Sequence, residues 1–270
     1  MTRPTLLQGH GSPVAFALDF STLEEARTAA AEVAPAIGMV KDGLELFVAA
    51  GPTAVAIGHE VGRPVFLDLK LHDIPETVER AVARASNLGA SLLTVHASGG
   101  RKMLRRAVDR AAKEGGTLAI CAVTILTSLD ERDLDDVGIV VTRRLPKLAS
   151  AGGTPSTPTA LAAERLARLA HEEGVGTFVC SPAEVASLRL SLGPDVVLVT
   201  PGIRPATAED DQKRVATPEQ AIRDGADWLV VGRPIRDAAD RLAAARAISS
   251  AAVAARAHGP STHRSAGAPS

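Results

Sequence analysis

A chain of 270 residues with 46% hydrophobic and 23% charged side chains is long enough for one large domain and too apolar for general disorder. Its formal net charge of -1 gives no field to draw it to nucleic acid or an anionic membrane, and an aromatic content of 2% without tyrosine removes the stacking platforms that single-stranded nucleic acids need. No stretch approaches the ~20 apolar residues that cross a bilayer, and the opening MTRPTLLQGHGSPV holds no signal-peptide core, so a cytoplasmic protein engaging neither nucleic acid nor membrane is expected.

After an N-terminal extension over 1–13 come the apolar runs VAFALDF, MVKDG, VFLDLK, SLLTVHA and TLAICAVTIL. They start at 14, 39, 65, 91 and 117, spacings of 25, 26, 26 and 26 residues. TFVCS from 177, VVLVTPG from 196 and WLVVGRPI from 228 bring the candidate strands to eight. They are continuously apolar, as strands covered on both faces are. Helical patterns lie between them: Leu23, Ala26, Ala30 and Val33 share one face, and Val78, Ala81, Val82, Ala85 and Leu88 another, with a stop at Gly89. This alternation predicts an α/β fold, a single (β/α)8 TIM barrel over 14–258, with an open doubly wound sheet as the alternative.

The interval from 117 to 177 breaks the rhythm. It holds a long loop at about 137–160, whose cluster ASAGGTPSTPT (149–159) reads as extended chain, either a tolerated insertion or a cover for a ligand. A helix follows, with Ala162, Leu166, Leu169 and Ala170 on one face. Cys121 and Cys180 lie in strand-like runs and read as reduced core residues, and GPSTHRSAGAPS (259–270) reads as a disordered tail.

Charges collect where a barrel keeps its chemistry, at the C-terminal ends of strands. Asp19 ends the first strand, Lys41 lies in the second, Asp68 and Lys70 end the third and His96 the fourth, while Thr127, Arg204 and Arg233 follow the fifth, seventh and eighth. Asp68 and Lys70 are two apart, so strand alternation points both into the barrel, where an unpaired charge costs several kcal/mol. Lys41 and Lys70 set against Asp68 and Asp73 make a balanced group of two cations and two anions, catalytic or, alternatively, a structural ion-pair network. Asp73 lies past the strand, just before Pro75, which suits the first turn of a helix. TPGIRP (200–205) and VVGRPI (230–235) each set Gly and Arg after a strand, in the loops where barrel enzymes hold phosphate. Glycine lets backbone N–H groups approach an oxyanion and arginine supplies a bidentate fork.

DLKLHDIP (68–75) carries an Asp-x-Lys-x-x-Asp pattern. With ALDF, VKDGLELF, LTSL, TPGIRP and VVGRPI in order, the chain resembles orotidine 5'-phosphate decarboxylase over about residues 14–236. The resemblance implies conversion of orotidine 5'-phosphate to UMP and CO2, with Lys70 as proton donor to C6 of the pyrimidine, Asp68 beside the substrate carboxylate and Lys41 holding the network. It implies a homodimer in which Asp73 reaches into the neighbouring subunit's site. Asp19 and Lys41 are implied for the ribose hydroxyls, Thr127 or Ser128 for the pyrimidine, and Gln212, Gly232 and Arg233 for the phosphate with Arg204 nearby. Thr77 lies in the same stretch and is taken as a further substrate contact, with His72 in support. Metal-dependent sugar-phosphate relatives share the Asp-x-Lys-x-x-Asp pattern but carry an acidic ligand on the second strand, where this chain has Lys41; a site without metal or cofactor is implied. The 137–160 loop is longer than in compact members, and the stretch from Arg204 to Gln212 is a residue short. A Mg²⁺-dependent aldolase or decarboxylase of a sugar phosphate and a non-catalytic nucleotide binder are the alternatives.

Overall fold

The computed structural model describes residues 11–115, 117–139, 157–205 and 216–257. Its strands are β1 (Val14–Ala17), β2 (Met39–Gly43), β3 (Val65–Leu71), β4 (Leu92–His96), β5 (Ala119–Val123), β6 (Thr177–Val179), β7 (Val197–Thr200) and β8 (Trp228–Val231). Each pairs in parallel with the next, and β8 also pairs with β1, so the sheet closes and the open-sheet alternative falls.

The helices are α1 (Leu23–Val33), α2 (Leu44–Ala50), α3 (Pro52–Glu60), α4 (Pro75–Asn87), α5 (Arg101–Lys113), α6 (Glu131–Asp136), α7 (Pro158–Glu172), α8 (Val185–Leu192), α9 (Pro218–Arg223), α10 (Arg233–Arg236) and α11 (Arg241–Ala257). α1 starts where the Thr22 hydroxyl accepts the Glu25 N–H, and α4 starts with Pro75, whose missing N–H is no loss in a first turn. α4 buries Val78, Val82, Ala83 and Ala85 and ends before Gly89, whose φ of 76° suits a residue without a side chain.

Two boundaries differ from the sequence reading. Thr157 caps α7 by accepting the Ala160 N–H, and Pro158 is its first residue, so the last three residues of the 149–159 cluster begin a helix. Caps and loops use the same residue types, which hides such a junction. The short α6, opened by a capping box between Asp130 and Asp133, has a single apolar residue, Leu134, and so no periodic face to announce it in the sequence. The rest of the long loop, 140–156, lies outside the described residues, as do 1–10 of the extension and the 259–270 tail.

Strand alternation divides the barrel interior into layers. Ala15, Met39, Phe66, Leu92, Cys121 and Trp228 form a dry floor. Two residues on, the inward positions become Ala17, Lys41, Asp68 and Thr94, with Ala17 opposite Lys41 in the ladder. Charge at the other end of the barrel serves cohesion: Asp227, at the start of β8, accepts from Arg189 at 2.6 Å and from the Leu198 N–H at 2.8 Å.

Asp42 is the exception to this partition. It has the opposite strand parity to Lys41, is fully buried, and neither carboxylate oxygen has a hydrogen-bond partner among the described residues. Burial lifts its pKa to about 7, and the nearby Lys41 offsets this only in part. A folded pKa above the unfolded value means that deprotonation favours unfolding, so stability drops as pH rises from about 4 to 7 and stays low beyond, by about 4 kcal/mol. Asp42→Val is therefore expected to raise the denaturant midpoint at pH ~8 and to flatten its dependence on pH. An unchanged slope would show that Asp42 is satisfied in solution.

Candidate active site

The site begins with a fault in the sheet. β3 and β4 pair regularly at Phe66–Leu92 and Leu67–Leu93, and the next pair is Leu71–Val95, so four steps on β3 match two on β4. Asp68 and Lys70 sit in that irregular stretch. Lys70 has φ 49°, the one non-glycine residue at positive φ among the described residues. This corrects the alternation argument: Lys70 reaches the mouth through a left-handed backbone turn, at a cost of about 1–2 kcal/mol, and not by strand periodicity.

The charges then form a chain across three strands. Asp19 Oδ1 accepts from Lys41 Nζ at 3.2 Å, Lys41 Nζ lies 3.7 Å from Asp68 Oδ2, and that oxygen accepts from Lys70 Nζ at 2.8 Å. Thr94 donates to the other Asp68 oxygen at 2.9 Å. Burial by itself would raise the Asp68 pKa, but the ammonium groups of Lys41 and Lys70 and the hydrogen bonds from Lys70 and Thr94 outweigh it and hold the carboxyl below its ordinary value. Gly43 leaves the room this needs: a Cβ there would lie 2.8 Å from Lys41 Nζ. Behind Lys70 the imidazoles of His72 and His96 lie 5.4 Å apart. Burial, followed by His72 and Lys70, pushes the His96 pKa down, which favours its neutral form.

Asp73 departs from the expected group of four. It is exposed, its carboxylate accepts the Ile74 N–H at 2.6 Å, and it makes no ion pair with Lys41 or Lys70 within the chain; Asp19 stands as the second anion instead. The reason is positional, since Asp73 lies beyond the end of β3 in the turn leading to α4. Thr77 is half-buried in the first turn of α4, and Thr127 and Ser128 are exposed in the turn after β5. Gly232 follows β8 against Asp19, where a Cβ would lie 3.4 Å from Oδ2, and exposed Arg233 opens α10. Arg204 is held after β7 by its N–H to the Ala216 carbonyl at 3.0 Å. Gln212 lies outside the described residues. The structure thus joins Asp19, Lys41, Asp68, Lys70 and Gly232 directly, with Arg233 next to Gly232.

A sequence model of the orotidine 5'-phosphate decarboxylase / HUMPS family matches residues 12–248. The chain belongs to that family. A protein named orotidine 5'-phosphate decarboxylase from Anaeromyxobacter sp. (strain K) is 52% identical over 220 residues, covering 81% of this chain and 88% of the relative. The Thermobifida fusca (strain YX) protein of that name is 47% identical over 226 residues, covering 83% and 88%. The crystal structure of orotidine 5'-phosphate decarboxylase from Lactobacillus acidophilus superposes with a TM-score of 0.74 at 35% identity, covering 89% of this chain and 99% of that one.

Within this decarboxylase / HUMPS family frame, the sequence reading missed three contributors. Thr94 is a lone hydroxyl in the apolar run LLTVH, and its inward parity with His96 was the available signal. Gly43, two residues after Lys41 on the same strand, gives no sign in the sequence that it makes space for the ammonium. Arg236 donates to the Asp19 carbonyl at 3.1 Å and braces the β1 loop against α10; nothing local in the sequence sets it apart from Arg233.

Proposed function

We propose that this chain decarboxylates orotidine 5'-phosphate to UMP and CO2 in de novo pyrimidine synthesis, without metal or other cofactor. The observation that carries the reading is the alternating chain Asp19, Lys41, Asp68, Lys70 at the barrel mouth. Loss of CO2 from C6 leaves a carbanion with no conjugated electron sink, so its stabilisation has to come from charge fixed in advance. The Lys70 ammonium is that charge, and it then delivers its proton to C6. Lys41, bonded to one carboxylate and close to a second, holds the network together and binds ribose with Asp19. Asp68, ionised by its cationic neighbours, faces the substrate carboxylate.

The remaining roles follow the strand ends. Thr127 or Ser128 contacts the pyrimidine, Thr77 supports the ligand from α4, and Gly232 and Arg233 hold the phosphate with Arg204 and Gln212. Phosphate binding, remote from C6, supplies energy for ordering loops and excluding water. The working unit is a homodimer in the cytoplasm, with Asp73 completing the neighbouring site. In support, Leu44, Val48 and Ile74 leave large apolar side chains 50%, 80% and 66% exposed after β2 and β3, the strands that carry Lys41 and Lys70.

The sugar-phosphate alternative needs a divalent cation between carboxylates. Here an ammonium occupies the space between Asp19 and Asp68, and among the described residues no three His, Cys, Asp or Glu side chains converge. The test is to follow the ultraviolet absorbance of orotidine 5'-phosphate mixed with purified protein, with and without EDTA. Full turnover in EDTA is expected. Activity lost to EDTA and restored by Mg²⁺ favours the metal-dependent alternative, and an inert substrate refutes the reading.

A further inference from the structure

We infer that Thr94 is a positioning residue of this site, whose single hydroxyl fixes the Asp68 carboxylate and the Lys70 ammonium relative to one another. The inference rests on the decarboxylase reading for its kinetic consequences and on geometry alone for the rest.

Thr94 is fully buried on β4, opposite the irregular stretch of β3. Its hydroxyl accepts the Lys70 backbone N–H at 2.7 Å and donates to Asp68 Oδ1 at 2.9 Å. Asp68 Oδ2 in turn accepts from the Lys70 side chain at 2.8 Å, which closes a ring from the Lys70 backbone through Thr94 and Asp68 back to Lys70 Nζ. A hydroxyl has one proton to give, and here it goes to the carboxylate; a lone pair takes the backbone N–H.

Each bond answers a definite need. A regular parallel ladder would satisfy the Lys70 N–H with a β4 carbonyl, but the register shift removes that partner, and a buried N–H left alone is costly. The hydroxyl replaces it and so holds Lys70 at its left-handed φ of 49°, the turn that sends the ammonium into the mouth. The same oxygen, by donating to Asp68, orients the carboxylate that Lys70 meets. Lys41 from β2 and Lys70 from β3 pair with Asp68, Thr94 from β4 hydrogen-bonds to it, and His96 from β4 and Cys121 from β5 are near enough to feel its charge. Thr94 alone among them binds both the carboxylate and the Lys70 main chain.

The test compares Thr94→Val, Thr94→Cys and Thr94→Ser by steady-state turnover of orotidine 5'-phosphate and by denaturant unfolding at pH ~7 and ~3. Valine keeps the shape and loses both bonds; cysteine nearly keeps the size with a weak donor and acceptor; serine keeps the hydroxyl. Expected for Thr94→Val is a fall in kcat of about 100-fold with KM changed by less than about 3-fold, since a misplacement of an ångström costs that much in rate. Thr94→Cys should fall alongside it and carries the test if the valine variant does not fold. Thr94→Ser should return kcat to within about 5-fold of wild type.

Unfolding supplies a readout that packing alone would not move. Asp68, with its folded pKa lowered, contributes stability that is present above the unfolded value and lost on acidification. Without the Thr94 hydrogen bond, the loss in midpoint from pH ~7 to ~3 should shrink; a packing defect would lower both midpoints equally. Wild-type kcat in Thr94→Val, a defect in KM alone, or Thr94→Ser as slow as Thr94→Val overturns the inference. Should wild-type protein not turn over the substrate, the decarboxylase reading fails by itself, and an unchanged pH dependence of unfolding in Thr94→Val would then sink the Thr94 assignment separately.

Discussion

Lys70→Ala is expected to reduce decarboxylation by about 10⁴-fold or more while leaving the proposed dimer folded. The variant removes both a fixed positive charge at the developing carbanion, worth about 10²–10³ in rate, and the proton donor, worth about 10²–10⁴. It does not leave Asp68 stranded, because Lys41 Nζ remains 3.7 Å from one oxygen and Thr94 bonded to the other. Nor does it add backbone strain, since alanine at φ 49° carries much the same steric cost as lysine. Turnover at saturating orotidine 5'-phosphate, with circular dichroism and sedimentation to establish the fold and assembly, checks the outcome. Retained turnover would remove Lys70 from its role.

Mixing two inactive variants is expected to restore activity. Asp73 is exposed in its own chain and lies past β3, outside the charge chain, and the proposed dimer assigns it to the neighbouring site. Asp73→Asn and Lys70→Ala homodimers should each be almost inactive. In a mixed dimer one site combines both lesions and the other has neither. Random exchange of equal amounts makes half the dimers mixed, each with one intact site, so about a quarter of wild-type turnover should appear. The signal must depend on subunit exchange, appearing after brief unfolding and refolding together and not on simple mixing of stable dimers. If no activity returns after verified exchange, Asp73 acts within its own subunit or not at all.

The barrel was legible because strands covered on both faces must be apolar throughout, and runs such as SLLTVHA and VVLVTPG leave few other places to put so much buried Val and Leu. The closing contact of β8 on β1 was not legible as such, since spacing alone fits an open sheet. At the site, residue types and strand ends sufficed to pick out Asp19, Lys41, Asp68 and Lys70. Their connectivity did not follow. The left-handed turn at Lys70 depends on a register shift against β4, a long-range property with no local sequence signature such as glycine. Asp73 was grouped with the others because it is close in sequence, while Asp19, distant in sequence, is the residue that bonds Lys41. Asp42 shows a further limit: it adjoins Lys41 in sequence and was not singled out there, yet strand parity turns it the opposite way, into the buried layer.

Trp228, buried in the barrel floor, is the one tryptophan of a chain with no tyrosine. Its intrinsic emission therefore has a single source, one layer beneath Lys41 and Asp68, and can be read as a local gauge of that floor without labelling. In the band where a pyrimidine nucleotide is monitored, that single indole supplies nearly all of the enzyme's absorbance, as a constant background. Enzyme and substrate can then be mixed at comparable concentrations, and a single turnover watched directly.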